Sequence, residues 1–315
     1  MLRHRVADYQ VGDLERQFPK LDAEEGYLFA YGFMTLETWH DLHCQPRIKL
    51  SPLERDVLAA VTAMKEAHPR ALDEQFGKRT VRNCWGGKSQ ATKRILEDLH
   101  HHGFLRVSRR EKGVRVYQAA PKKPSGDVKD PKHQYERLAL TKAQVFGPTS
   151  KRFLISELGS LKHLIPKRSE RVKAVDRLVE SGQLSELEVE SVSYLWKRDE
   201  WQVDELVERA RILAPFDPLV RDRQRFEQVW DWRYRFEAYA PAARRERGYY
   251  AMPVLWQDKV IGWANAKVNG EQLDVTIGYI GKRPRTKAYR LAIETEVEAM
   301  TTFLGLNSSA WELKR

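Results

Sequence analysis

Residues 85–118, WGGKSQATKRILEDLHHHGFLRVSRREKGVRVYQ, change hydrophobic period within one short run, which limits what the chain can build around them. A Gly-Gly pair opens the run, and Ser89 is the expected helix N-cap, its hydroxyl accepting from an unpaired helical N–H. Ala91, Ile95, Leu96 and Leu99 then recur at helical spacing, and Gly103 stands where a helix end favours glycine. Beyond it the period becomes two. Phe104, Leu105 and Val107 lead to a polar tip over residues 109–113, and Val114, Val116 and Tyr117 lead back, as in a β-hairpin. An apolar helical segment at residues 53–64 comes before. Helices followed by a hairpin in this order read as a winged helix, a helix-turn-helix with a β wing.

Charge indicates what such a unit touches. Between Lys78 and Arg115 there are eleven Lys or Arg against three acidic residues, a local excess of eight in a chain whose net charge is +11. The residues expected to meet DNA are Lys88, Ser89, Gln90, Lys93 and Arg94 at the start of the recognition helix, and Arg109, Arg110, Lys112 and Arg115 on the wing. A helix laid in a groove and a wing on phosphates require cations at these two places. A solvated basic face on a structural module is the alternative.

The rest of the chain bounds the other possibilities. At 315 residues it allows two or three modest domains. No apolar run approaches the ~18 residues of a membrane span, and MLRHRVADYQ lacks the apolar centre of a signal peptide. Two cysteines, Cys44 and Cys84, suit a reducing cytoplasm better than a disulfide framework. His40, His43 and Cys44 lie close together, but no second ligand pair at zinc-site spacing follows, so no metal is expected.

Residues 1–50, with a helical fragment at 14–18 and the aromatic run YLFAYGFM, read as an incomplete N-terminal helical segment. Residues 51–120 form the first winged-helix domain, and 121–137 a linker rich in Pro, Lys, Gly and Asp. A second winged-helix-like domain is expected over 138–200, with helices at 153–164 and 171–179 and a hairpin carrying Glu186, Glu188 and Glu190. An acidic hairpin suits phosphate poorly, so this copy is read as architectural. Residues 201–315 combine a helix over 201–213, the loop APFDPLV, three alternating strands at 249–255, 259–267 and 272–280, and a closing helix through Leu304. Asn269-Gly270 is a strong hairpin turn. In the loop, Asp217 is either a positioned functional carboxylate or a helix cap. The fold class expected is α+β: tandem winged-helix domains followed by a small antiparallel β-sheet or partial barrel with a covering helix.

The block PFDPLVRDRQRFEQVWDWRYRFEAYAPAARRERGYYAMPVL resembles the YcaQ/AlkZ-type winged-helix DNA glycosylases. The matching positions include Pro215, Phe216, Asp217, Pro218, Asp222, Arg223, Tyr234, Arg235, Glu237, Tyr239, Pro241, Arg244, Gly248, Tyr249 and Pro253. Gly262 and Lys267 fit the next strand, although the family often has Arg and Asp where Trp263 and Asn265 stand here. The resemblance implies excision of N7-alkylated purines and unhooking of interstrand crosslinks, with alkylated or crosslinked double-stranded DNA as partner. The chain is further expected to need no cofactor, to be a monomer, and to be cytoplasmic and nucleoid-associated. Asp217, Arg223 and Tyr234 become candidates for lining a lesion cleft, as does Tyr31 by its place in the aromatic run.

One family feature is not carried over. The catalytic Gln-x-Asp or Gln-x-Gln pair belongs ahead of the segment that here begins MLRHRVADY, and Gln10-Val11-Gly12-Asp13 has the wrong spacing. The chain then either starts at an internal methionine or naturally lacks the pair. The catalytic residue stays unassigned, with Asp217 as the one candidate. A non-catalytic winged-helix DNA-binding or regulatory protein is the alternative function.

Overall fold

The computed structural model describes residues 2–43, 49–77, 80–82, 88–121, 130–198 and 208–314. It is a mixed α+β fold of several helix–sheet subdomains and divides into two compact units. One comprises Leu14–Thr141 and Glu157–Asp176; the other comprises Met1–Asp13, Lys142–Ser156 and Arg177–Arg315.

The first unit opens with α1 (Asp13–Gln17) and a 3-10 turn at Phe18–Lys20, then the antiparallel pair β1 (Ala23–Tyr27) and β2 (Tyr31–Thr35). The N-terminal segment expected to be helical therefore carries a hairpin. Glu24, Glu25 and Gly26 of β1 are all buried, whereas β2 is half-buried to exposed. Next come α2 (Leu36–Leu42), α3 (Pro52–Met64) and α4 (Pro69–Phe76). Helix α3 starts at a capping box in which Ser51 and Glu54 satisfy each other's backbone N–H groups.

Short strands β3 (Thr80–Arg82) and β4 (Lys88–Gln90) pair before α5 (Ala91–His101). Ser89 is consequently a strand residue, and the N-cap passes to Gln90, whose side chain makes no capping bond. Pairing with Val81 holds Ser89 extended and delays the helix. At the other end, Gly103 N–H donates to His100 O and Phe104 N–H to Leu99 O, the two bonds of a Schellman motif. Gly103 has φ +75°, and a Cβ there would lie 2.5 Å from Cβ of His43.

The hairpin of β5 (Leu105–Glu111) and β6 (Val114–Ala119) is tighter than expected. Arg109 and Arg110 are in the strand and not in a loop, because Lys112 (φ 48°) and Gly113 (φ 82°) complete the reversal alone. Val57, Val61, Leu72, Leu96, Leu99, Leu105 and Val107 make the core that joins α3, α4, α5 and the hairpin. Helix α6 (Pro131–Phe146) then runs on from this unit.

Beyond it lie β7 (Thr149–Ser150), α7 (Lys151–Glu157), α8 (Arg168–Glu180), β8 (Leu184–Val189) and β9 (Val192–Lys197). The three strands form a sheet in the order β7-β9-β8.

The other unit is dominated by a curled, half-barrel sheet of β10 (Ala210–Ile212), β11 (Met252–Trp256), β12 (Lys259–Asn269), β13 (Gln272–Tyr279) and β14 (Trp311–Lys314). Neighbours are antiparallel except β13 and β14, which are parallel. The helix expected over 201–213 is corrected at its end. Ala210 and Ile212 are buried with Arg211 between them, and this period-two run pairs with residues 254–256; residues 201–207 lie outside the description. The Asn269-Gly270 turn joins β12 to β13 as expected. Between β10 and β11 the chain forms α9 (Pro218–Arg221) and α10 (Arg223–Trp230). Helix α11 (Lys287–Phe303) buries Tyr289, Ile293 and Val297 against Val254, Val275 and Ile277 of the sheet.

The N-terminal residues belong to this unit. Arg3 and His4 both meet buried Glu296 of α11, at 2.6 and 3.0 Å, and Glu296 also accepts from Ile212 N–H. No helix among the described residues is long and apolar enough to cross a membrane.

Candidate nucleic-acid interface

The basic hairpin is less available than its composition suggests. Glu25 of β1 is fully buried and accepts from Nε and Nη2 of Arg110 at 2.8 and 2.7 Å. Arg115 lies 3.7 Å from the same carboxylate, and its guanidinium stacks 3.9 Å from the ring centroid of Tyr31. Neighbouring Glu24, also buried, pairs with Arg106 at 2.5 Å. Burial pushes the Glu24 carboxyl up to about 7, with Arg106 opposing, and its Oε2 has no hydrogen-bond partner.

Tyr31, the candidate from the aromatic run, completes this cluster. Its hydroxyl donates to Glu25 at 2.9 Å and lies 3.2 Å from Nε2 of His100, whose Nδ1 donates to Leu105 O. Burial lowers His100 to about 4 and His43 to about 3, so both rings are neutral at pH 7. His43 packs on Trp39 with ring centroids 4.8 Å apart.

The other wing and helix cations are nearer solvent. Arg109 pairs with Glu66 and Glu111 on the surface, and Arg94 with Asp98 one turn along α5. Lys93 on α5 and Lys112 in the turn are exposed. Gln90 is half-buried; the side chains of Lys88 and Ser89, like Cys44 and Cys84, lie outside the description.

In the other unit the family-like block is mostly scaffolding. Asp217 is fully buried and caps α9 by accepting from Leu219 N–H, while Arg5 grips both its oxygens at 2.9 and 3.1 Å. Asp217 is thus a helix cap held in an ion pair. Asp222 caps α10 and also accepts from Thr149 Oγ1 and from Ser150 N–H and Oγ. Tyr234 is buried and donates to Ala251 O, whereas Arg223 is exposed. Tyr31 thus stands in one unit and the other three cleft candidates in the other.

Sequence reasoning passed over Arg225, a buried guanidinium that donates to the carbonyls of Phe146, Pro148, Pro218 and Leu219. In the charged run RDRQRFEQ, nothing distinguishes Arg225 from Arg221 and Arg223 as the one that meets four converging carbonyls. Two Gln-x-Asp tripeptides do occur. Gln202-Val203-Asp204 is outside the description, and in Gln272-Leu273-Asp274 the aspartate bonds Asn269 across the hairpin turn. Asp13 is likewise engaged, accepting from Gln10 N–H at 2.6 Å.

The family described as "DNA glycosylase AlkZ-like" matches residues 1–303. The chain belongs to the AlkZ-like DNA glycosylase family. Its fold is also similar to that of the Streptomyces sahachiroi DNA glycosylase AlkZ, with a TM-score of 0.62 at 15% identity, covering 98% of this chain and 86% of the other. Membership gives a general association with DNA binding and DNA repair.

Proposed function

We propose that this protein is a DNA glycosylase that hydrolyses the N-glycosidic bond of N7-alkylated purines in duplex DNA and unhooks interstrand crosslinks held through that atom. The family match over residues 1–303 carries this reading. The succession α3, α4, α5 and β5–β6 around one core supports a winged helix, with α5 as recognition helix and the tip at Lys112 toward phosphate. The β8–β9 hairpin, whose Glu186 is already paired with Lys151, supports a second winged-helix-like module. The same reading takes the protein as a cytoplasmic monomer on DNA.

Alkylation at N7 leaves a cationic base, which departs without a strong general acid. The protein's contribution is to position a carboxylate that stabilises the developing oxocarbenium sugar and orients water. Asp217 is poorly suited to that role, because Arg5 and Leu219 occupy its oxygens. This favours keeping a second reading, a non-catalytic DNA binder on the same scaffold.

Base release from duplex DNA carrying N7-methylguanine, with binding followed in the same samples, tests both. Release above a no-protein control, retained in Asp217→Asn, supports the glycosylase with its carboxylate elsewhere. Binding without release supports the second reading. Neither binding nor release overturns both.

A further inference from the structure

Between α10 and β11 the chain crosses residues 231–251 with only a 3-10 turn at Ala242–Arg244. A loop of this length without secondary structure is uncommon inside a compact domain unless it has a task. This one is braced from beneath. Buried Glu237 accepts from the N–H groups of Glu246, Arg247 and Gly248 at 3.2, 2.9 and 3.2 Å. Asn265 of β12 donates to Arg247 O, and Gly248, at φ +119°, allows the close approach: a Cβ there would lie 2.5 Å from Oδ1 of Asn265.

Above these anchors the loop displays rings to solvent. Tyr239 is 89% exposed, Tyr249 60% and Tyr250 41%. Phe236 is an edge-on partner of two of them, 6.2 Å from Tyr239 and 5.1 Å from Tyr250. Cations are interleaved: Arg245 lies 4.9 Å from the ring centroid of Tyr249, and Arg244 is exposed beside it in sequence. A long loop that pays for rigidity underneath while leaving Tyr239 and Tyr249 largely exposed, Tyr249 with Arg245 over one face, is built for an outside partner. Aromatic faces with guanidinium groups between them match bases and phosphates of an unpaired strand, whereas a perfect duplex hides its base faces in its own stack.

We propose that this loop is a stacking platform for unpaired nucleotides of DNA, with Tyr239 and Tyr249 taking base faces and Arg244 and Arg245 the adjoining phosphates. The proposal rests on the DNA-binding reading above and adds a preference to it: duplex next to a melted or single-stranded stretch is bound more tightly than duplex alone.

The test is fluorescence anisotropy of the full chain with a labelled perfect duplex and with the same duplex carrying a central bubble of unpaired thymidines, at one fixed salt concentration. Wild type is expected to prefer the bubble about tenfold or more. Tyr239→Ala and Tyr249→Ala should each lose about tenfold on the bubble, the scale of one stacked base, with little change on the duplex. Tyr239→Phe should keep the preference, since the ring face is retained, and circular dichroism should give unchanged melting for these surface variants. Equal wild-type affinity for the two DNAs, or ring variants that keep the full preference, overturns the platform while leaving duplex binding intact. Failure of wild type to bind either DNA overturns the DNA-binding reading, and the platform falls with it.

Discussion

Glu25 and Glu237 are both buried carboxylates, each beneath a surface rich in arginine, yet they hold different things. Glu25 takes the arginines themselves, Arg110 at 2.7 Å and Arg115 at 3.7 Å, and so turns the wing's charge inward. Glu237 takes mainly backbone N–H groups, from residues 246–248, and so fixes a loop whose rings stay outside. Counting basic residues therefore overstates the first surface, and counting secondary structure understates the second. A charge becomes available for a ligand only when the fold does not already satisfy it.

The largest expected effect is from Glu25→Ala. It strands Arg110 and Arg115 against a buried site, which should destabilise the protein by about 3 kcal/mol in denaturant unfolding. DNA affinity should move the opposite way, rising as the two guanidinium groups are released. An unchanged unfolding midpoint would show that the wing is not organised by this carboxylate.

Glu24→Gln sharpens the picture of the same strand. A carboxyl raised from 4.5 to about 7 binds more protons in the folded state, so stability falls as pH rises through that interval. At ~1.4 kcal/mol per unit the fall is at most roughly 3 kcal/mol. In the variant, unfolding free energy measured from pH 4.5 to 7 should lose this downward slope.

Glu237→Ala should cost about 2 kcal/mol by leaving charge-assisted backbone bonds unmade. Burial disfavours its ionised form, but the N–H groups of Arg247, Glu246 and Gly248 outweigh that and hold the carboxyl below the usual range. Its contribution is thus present above the ordinary glutamate pKa and lost as pH falls through the lowered one. Hydrogen exchange at residues 246–248 should speed up in the variant at pH 7; unaltered exchange would mean that other contacts brace the loop.

Lys112→Ala is the smallest change, with stability within about 0.5 kcal/mol of wild type. If the wing tip lies on phosphate, the slope of log affinity against log salt should flatten by about one. An unaltered slope would take the tip off the DNA.

Local chemistry determined much of this protein. The switch from helical to period-two spacing located α5 and the β5–β6 hairpin, and Asn269-Gly270 located a turn of the main sheet, because both signals lie within a few neighbouring residues. The block around Pro215 resembled a family that the match over residues 1–303 then established. Partners far apart in the chain were beyond such reading. Ser89 lost its capping role to a strand pairing with Val81, and residues 210–212 became a strand because residues 254–256 were there to receive them. The fate of each charge was decided in the same way: Arg110 meets Glu25 across 85 positions and Arg5 meets Asp217 across 212. Sequence spacing specifies which face of a helix or strand a side chain occupies; only the assembled fold specifies whether an opposite charge is waiting there.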